Sequence, residues 1–190
     1  TMASARAIVC GVKLTDEPID VENPGTGEQP EQPEQPEQPE QPTESLEALT
    51  NNAYYFFKPA TEINGGKWYA IVSENHAATA LTKNFGYLSV VDGIERTNGI
   101  ALPASCAFGF LTTTNGYTIQ QYDNKYVYQT GTYNSFNVSD TLPNDGGVWT
   151  VTVNGDKFTI TNNSVNKFVQ YDTQYGSYGS YSDAKGNVPT

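Results

Sequence analysis

The sequence predicts an all-β domain over residues 54–190, and three observations support that fold class. A pattern spaced by about 41 residues occurs twice, since Phe108-Gly-Phe110 and residues 114–119 recur as Trp149-Thr-Val151 and residues 154–160. Four Asn-Gly pairs separate short apolar runs, and this dipeptide favours the tight turns of β-hairpins. Apolar residues alternate with period two, as in Trp149-Thr-Val-Thr-Val153, and nothing after residue 54 has a helical period.

The repeat continues through the whole of each copy. Lys125-Tyr-Val127 recurs as Lys167-Phe-Val169, and Tyr133-Asn-Ser-Phe136 recurs as Tyr175-Gly-Ser-Tyr178. The spacing stays at 41 or 42 residues, which indicates two copies of one unit of about four short strands. A unit of this size buries its apolar face only by packing on neighbouring units.

Residues 54–107 are interpreted as a third, divergent unit of about 54 residues. In it, Tyr54-Tyr-Phe-Phe57 takes the place of the opening strand, Trp68-Tyr-Ala-Ile71 that of the second and Phe85-Gly-Tyr-Leu88 that of the third. Insertions are expected near residues 60–66 and 77–84. Three units of four strands predict a β-trefoil of three unequal lobes, 54–107, 108–148 and 149–190. A β-sandwich is the alternative, because short strands with frequent turns also suit that fold.

Residues 149–160, followed by Lys167-Phe-Val-Gln170, resemble a lobe of the ricin-type β-trefoil lectins. Such a lobe runs from a Trp-led strand through a turn to an Ile-ended strand and then to a short Lys-x-Leu-Asp strand. The resemblance covers residues 108–183 well and 54–107 poorly. It implies the trefoil fold and a glycan-binding role. It does not carry over a galactose-type site, because the family's Gln before the Trp is Gly147 here and its sugar-binding Asp is Gln170 or Tyr128. The tyrosine-rich end is also similar to C-terminal modules of Bacteroidota cell-surface proteins.

The first 53 residues differ sharply from the rest in composition. They contain no aromatic residue, and eleven acids against two bases give them a net charge of −9. Glu-Gln-Pro occurs five times over residues 28–42, which predicts an extended polyproline II spacer of roughly 45 Å. A short helical turn is expected within residues 43–52, where Leu46 and Leu49 fall on one side. Residues 25–53 are therefore interpreted as an acidic spacer in front of the β domain.

Residues 1–24 are interpreted as the end of an upstream segment or domain. The alternative is a lipoprotein signal remnant with Cys10 as the lipidated residue. Cys106 is expected to be a small buried residue. The spacer and the polar β domain predict a protein that is secreted or displayed on a bacterial cell surface, as one piece of a longer polypeptide.

Charge and motifs exclude several classes of function. Residues 54–190 carry ten acids and eight bases, and this near-neutral balance argues against binding to nucleic acid. No stretch approaches 18 apolar residues, so no membrane span is predicted. His76 is the only histidine, the acids are scattered, and no nucleophile motif, phosphate-binding loop or metal-ligand spacing occurs. We therefore predict a non-catalytic protein without cofactor or metal.

Tyrosines among small polar residues suit recognition of glycans, because the ring stacks on a sugar's C–H face while neighbours hydrogen-bond its hydroxyl groups. For each tyrosine, a place in the core is the competing interpretation. The predicted function is a non-catalytic carbohydrate-binding module, and the alternative is a protein–protein or structural accessory module without a sugar ligand. Another domain of the same polypeptide is the other expected partner. The predicted ligand-binding residues are Gln170, Asp172, Gln174, Tyr175 and Tyr178 in the third lobe and Tyr128 and Tyr133 in the second.

Overall fold

The structure, a computed structural model, describes residues 40–185 and 187–190. Antiparallel strands make up the fold in these ranges, where the only helical element is a single 3-10 turn, Ala104–Cys106. The all-β prediction is therefore confirmed. The spacer before residue 40 and the segment 1–24, with Cys10, lie outside the described residues. Within the described ranges, no helix is both long enough and apolar enough to cross a lipid bilayer.

Fifteen strands follow one another within the described residues. The first seven are β1 (Tyr54–Phe57), β2 (Lys67–Ala70), β3 (Val72–Ser73), β4 (His76–Ala78), β5 (Val90–Asp92), β6 (Ile94–Arg96) and β7 (Gly99–Pro103). The next four are β8 (Ala107–Thr113), β9 (Gly116–Gln121), β10 (Tyr126–Tyr128) and β11 (Asn137–Ser139). The last four are β12 (Val148–Asn154), β13 (Lys157–Asn162), β14 (Phe168–Asp172) and β15 (Ser177–Tyr181).

The two copies of the repeat fold alike. β8 to β11 form one copy and β12 to β15 the other, and in both each strand pairs with the next in antiparallel fashion. The Asn-Gly pairs at 115–116 and 154–155 lie at the first hairpin of each copy, as predicted, and the turn residues themselves are Thr114-Asn115 and Gly155-Asp156. Gly116 has a φ of +134°, and a Cβ there would come within 2.3 Å of the Trp149 carbonyl oxygen. Only glycine fits that position.

One hydrophobic core receives corresponding residues from all three units. The second and third units contribute the pairs Ile119 and Ile160, Val127 and Val169, and Phe136 and Tyr178. The first unit contributes Ile71, Ala78 and Leu88 to the same cluster. The backbone agrees, because the Ala78 amide donates to the Ile71 carbonyl just as Val127 pairs with Ile119. The divergent segment therefore shares the core of the two regular copies.

The strand positions expected for the first unit are partly wrong. β1 pairs with β7, in a sheet of order β1-β7-β6, and not with β2. The hairpin of β6 and β7 turns at Thr97-Asn98 and offers β1 a four-residue partner, and the aromatic content of β1 does not encode that choice. The segment with Leu88 pairs with Tyr178 of β15, so it corresponds to a fourth strand. β4 takes the third-strand place, because it pairs with both β3 and β5.

The end of the chain lies where the first unit lacks an opening strand. The Phe158 amide donates to the Pro189 carbonyl at 2.8 Å, and the Thr190 amide donates to the Val72 carbonyl at 2.8 Å. Asn187 forms a two-way bridge with Tyr171. Residues 187–190 are thus held between β13 and β3.

The helical turn expected within residues 43–52 is absent, since this stretch has only a bend and a closing turn. Its groups bind the β domain instead. The Glu44 carboxylate accepts from the Thr112 amide at 2.9 Å, and the Glu47 carbonyl accepts from the Trp68 indole at 2.7 Å. Leu46 lies over Gly109, where a Cβ would clash with it. These contacts outweigh the weak helical preference of a short segment.

Candidate functional site

Each unit presents one exposed aromatic ring at a corresponding place. The rings belong to Phe85, Tyr133 and Tyr175, whose exposed fractions are 75%, 73% and 71%. Each ring lies three residues before a buried residue of the shared core, and these buried residues are Leu88, Phe136 and Tyr178. Packing of the core requires the buried residue but not the exposed ring. The repeated exposure therefore marks these three places as candidates for a function.

The backbone behind the three rings is fixed by mutual pairing. Gly86 and Phe136 exchange two hydrogen bonds of 3.0 and 2.8 Å, and Leu88 and Tyr178 exchange two of 3.0 and 2.9 Å. The Ser180 amide donates to the Asn134 carbonyl at 3.0 Å, which links the remaining two segments. Every segment that carries a ring is thus bonded to both others.

The loop of Tyr133 is held by two side chains beneath it. The Lys167 ammonium donates to the carbonyls of Thr132 and Tyr133 at 2.6 and 3.0 Å and to the Asn134 side-chain oxygen at 3.1 Å. The buried Gln129 amide also donates to the Tyr133 carbonyl, at 2.9 Å. A ring on such a backbone loses little conformational entropy when it binds a ligand.

The loop of Tyr175 surrounds a nearly buried carboxylate. Asp172 accepts from the Gln174 amide at 2.9 Å and from the Tyr181 hydroxyl at 3.3 Å, and the Gly176 amide donates to its carbonyl at 2.8 Å. Burial, followed by the Asp172 carboxylate and the phenol groups of Tyr87 and Tyr175, raises the pKa of Tyr181. Tyr181 therefore stays protonated and donates its hydrogen bond. Tyr87, 47% exposed, is a second accessible ring near Tyr181.

The predicted site residues divide by burial. Tyr133, Gln174 and Tyr175 are exposed, Tyr128 is half-buried, and Gln170, Asp172 and Tyr178 are buried. Tyr133 and Tyr175 lie on corresponding loops of different units. Asp172, Gln174 and Tyr175 do lie together, at the turn between β14 and β15.

The assignments of Gln170 and Tyr178 as ligand contacts are wrong, because neither side chain is exposed at all. The Gln170 amide donates to the Asp183 carbonyl at 2.9 Å and accepts from the Lys185 amide at 2.8 Å. The Tyr178 hydroxyl donates to the His76 carbonyl at 2.7 Å, and burial raises its pKa. Strand alternation predicts one accessible face here, but other segments of the chain cover both faces.

Sequence reasoning missed Phe85 and Tyr87. A usable signal was present, since Phe85-Gly-Tyr-Leu88 matches Tyr175-Gly-Ser-Tyr178 in its leading aromatic residue, its glycine and its closing apolar residue. The match went unused because Phe85-Gly-Tyr-Leu88 was aligned with the third strand of the repeat, whereas it corresponds to the fourth.

A cleft of about 700 Å³ is another candidate site, and none of the three exposed rings lines it. It lies between β1, β2 and β13, beside Pro189 and Thr190. Aromatic and aliphatic side chains form most of its lining, while charged residues of both signs also border it. Its aromatic and aliphatic lining includes Phe56, Trp68, Tyr69, Val151 and Phe158. Sequence reasoning did not foresee it, because its walls come from segments far apart in the chain.

His76 is the one histidine, and its imidazole contacts two other side chains of the domain. Its Nδ1 lies 2.7 Å from the Asp92 carboxylate, and its ring stacks on Tyr171 with centroids 4.7 Å apart. The nearby Ser73 hydroxyl donates to the carbonyls of Asn187 and Val188, so it is not directed at the imidazole. In the part of the chain that the structure describes, no group of three or more His, Cys, Asp or Glu is placed to hold a metal ion.

The arrangement offers rigid, solvent-facing aromatic rings with amide, hydroxyl and carboxylate groups beside them. Such surfaces bind ligands through stacking and hydrogen bonds, without covalent chemistry. Comparison of the chain with models of protein families, with curated proteins and with solved structures found no match.

Proposed function

We propose that the β domain is a non-catalytic carbohydrate-binding module in which Phe85, Tyr133 and Tyr175 each stack on a sugar ring. The observation that carries this proposal is the repeated exposure of one aromatic ring per unit, between 71% and 75%, on backbone that hydrogen bonds hold in place. An exposed ring presents an apolar face at little conformational cost, and the C–H face of a sugar matches it.

The place around Tyr175 is the best equipped of the three. The exposed Gln174 side chain supplies an amide donor and acceptor, and Tyr87 is a further exposed ring near Tyr181. The Asp172 carboxylate, bonded to the Gln174 amide and the Tyr181 hydroxyl, orients this turn. Asp172 acts here as a positioning residue, because it is only 7% exposed.

The fold that we propose is a β-trefoil of three unequal lobes. In both regular copies the opening strand pairs with the second strand of its own unit and with that of the preceding unit, as β8 does with β9 and β2. Residues 187–190 bond in the same way to Val72 of the first unit and Phe158 of the third. Pairing among the segments of Leu88, Phe136 and Tyr178 likewise supports a pseudo-threefold arrangement.

The wider setting we propose is a secreted or surface-displayed bacterial polypeptide. Five Glu-Gln-Pro triplets separate the β domain from residues 1–24, which suits a module that positions a partner domain on a glycan. Three equivalent places would give such a module avidity for repetitive polysaccharides, because linked weak sites reinforce one another. The alternative is a protein–protein or structural module without a sugar ligand.

A glycan array probed with the chain tests the proposal, followed by affinity measurements on the best glycan. Tyr175→Ala and Tyr133→Ala should each weaken binding by about 1–3 kcal/mol, a loss typical of a truncated aromatic contact. Phe85→Ala should behave alike, and the triple variant should lose binding. Tyr54→Ala is the matched control, because Tyr54 is 64% exposed but lies outside the three places.

Melting temperatures of all these variants should stay close to that of the unmodified chain, since the rings are exposed. Absence of binding across a broad array would contradict the proposal and favour the alternative. Binding that survives the triple variant would show that the glycan uses another surface.

A further inference from the structure

The gap between β13 and β3 accepts an extended chain segment. Residues 187–190 lie in it, bonded through Pro189 to the Phe158 amide and through Thr190 to the Val72 carbonyl, each at 2.8 Å. The backbone geometry of this gap therefore already suits strand addition.

The segment fills only part of the gap. In the regular copies the opening strand has seven residues and pairs along the whole second strand, from Phe108 with Gln121 to Thr113 with Gly116. In the first unit, residues 187–190 reach only as far as Val72. β2, which precedes Val72, pairs with β8 along one edge, and no strand among the described residues pairs with its other edge. Such an edge leaves backbone N–H and C=O groups free to bind another chain.

The cleft of about 700 Å³ adjoins the gap, because residues 68–72, which run from β2 into β3, line it together with Pro189 and Thr190. Its lining includes Trp68 and Tyr69 of β2, Phe56 of β1 and Phe158 of β13. Lys58 and Arg96 border it together with Glu74, Glu95 and Asp156, so its charges do not select an anion or a cation. An uncharged apolar ligand with regularly spaced polar groups suits both the lining and the free edge.

We propose that this cleft binds an extended apolar peptide segment of a partner protein, which adds a strand along the free edge of β2. Alternate side chains of the segment would enter the aromatic lining, and its backbone would bond to the β2 edge. A peptide backbone repeats its donors and acceptors at the spacing of a strand, whereas a sugar or a small apolar molecule does not. The site is separate from the three exposed rings and goes beyond the proposed glycan function.

The probe is a fluorescein-labelled peptide, Val-Trp-Thr-Val-Thr-Val-Asn, which is the sequence of β12. β12 is the opening strand of the third unit, so its pattern suits the corresponding place in the first unit. Titration of the 190-residue chain should give saturable binding by fluorescence anisotropy. Hydrogen exchange at the amides of β2 should slow at least about tenfold in the complex, because bound amides exchange only when the added strand opens. The control peptide replaces its central valine with proline, which removes one backbone donor, and should bind at least about tenfold more weakly.

Phe56→Ala tests the lining without endangering the fold, because Phe56 is 47% exposed. It should weaken the peptide at least about fivefold, whereas Tyr133→Ala, an exposed aromatic outside the cleft, should leave it unchanged. The proposal is overturned if the peptide fails to bind at millimolar concentration, if the proline peptide binds equally well, or if binding leaves exchange in β2 unaltered. Loss of glycan binding in Tyr133→Ala with peptide binding intact would show that the two sites are independent.

Discussion

The two regular units, residues 108–190, and the divergent unit, residues 54–107, share one core but differ at its edges. The regular units place Trp149, Phe136 and Tyr178 in the core, and their strands pair in sequence order. The divergent unit adds the hairpin of β6 and β7, a second small cluster around Leu102 and Cys106, and one wall of the cleft. Repetition thus specifies the core, and the divergent unit contributes much of the lining of the cleft of about 700 Å³.

The comparison extends to three buried polar residues at corresponding positions, Ser73, Gln121 and Asn162, all fully buried. Each ties a different segment to the core. The Gln121 side chain bonds to the Leu81 amide and carbonyl. The Asn162 side chain donates to the Gly146 carbonyl and accepts from the amides of Ser164 and Val165. Ser73 donates to carbonyls near the chain end. One scaffold position is therefore used three times, with a side chain matched to the segment that it holds.

The largest effect is expected from Tyr178→Ala in the shared core. It should lower the free energy of unfolding by about 3–5 kcal/mol, because it removes a fully buried ring and its hydroxyl bond to His76. Tyr175→Ala, the matched control three residues away, should change it by less than about 0.5 kcal/mol. Urea denaturation of both variants measures the difference. Equal losses would contradict the division into core and exposed rings.

A smaller effect should distinguish the buried polar residues. Asn162→Ala leaves the amides of Ser164 and Val165 without their acceptor and removes one of two hydrogen bonds to the Gly146 carbonyl, so a loss of about 2–3 kcal/mol is expected. Ser73→Ala removes only two long bonds of 3.1 and 3.3 Å, and a loss of about 1 kcal/mol is expected. Chemical denaturation of the two variants measures both losses in the free energy of unfolding. A larger loss for Ser73→Ala would contradict the expectation that Asn162 contributes more to stability than Ser73.

Alkaline pH should weaken the small cluster of the divergent unit. Burial raises the pKa of the Cys106 thiol from 9.0 to about 11, so the folded state favours the neutral thiol. The resulting stabilisation is complete below pH 9 and is lost as pH rises from 9 to about 11. In a Cys10→Ser background, Cys106→Ala should lose less stability than the parent between pH 8 and pH 10.5. Parallel pH curves would exclude this contribution.

The smallest effect is expected at the ion pair of the divergent unit. His76 and Asp92 are 2.7 Å apart, but their side chains are 32% and 67% exposed. Asp92→Asn should therefore change the free energy of unfolding by less than about 1 kcal/mol. Thermal unfolding of this variant is the measurement, and a loss near that of Asn162→Ala would mean that the stacking of His76 on Tyr171 depends on the carboxylate.

The sequence was sufficient to predict local structure wherever the local pattern and the repeat agreed. Asn-Gly at 115–116 and 154–155 predicted two hairpins, and in both the glycine has a positive φ, +134° at Gly116 and +66° at Gly155. Burial of Cys106 followed from its small apolar neighbours. Among the predicted site residues, Tyr133, Gln174 and Tyr175 are accessible, while the trefoil symmetry and the glycan ligand stay predictions.

By itself the sequence determined the fold class and the repeat, because strand period and turn chemistry act over a few residues. Tertiary structure alone decided that β1 joins β7, that residues 187–190 lie against β13 and that Tyr178 is buried while Tyr175 is not. It also decided that residues 43–52 lie against the β domain without forming a helix. The physical reason is that pairing partners and burial depend on which distant segments cover each edge and face, and alternation along one strand carries no information about them.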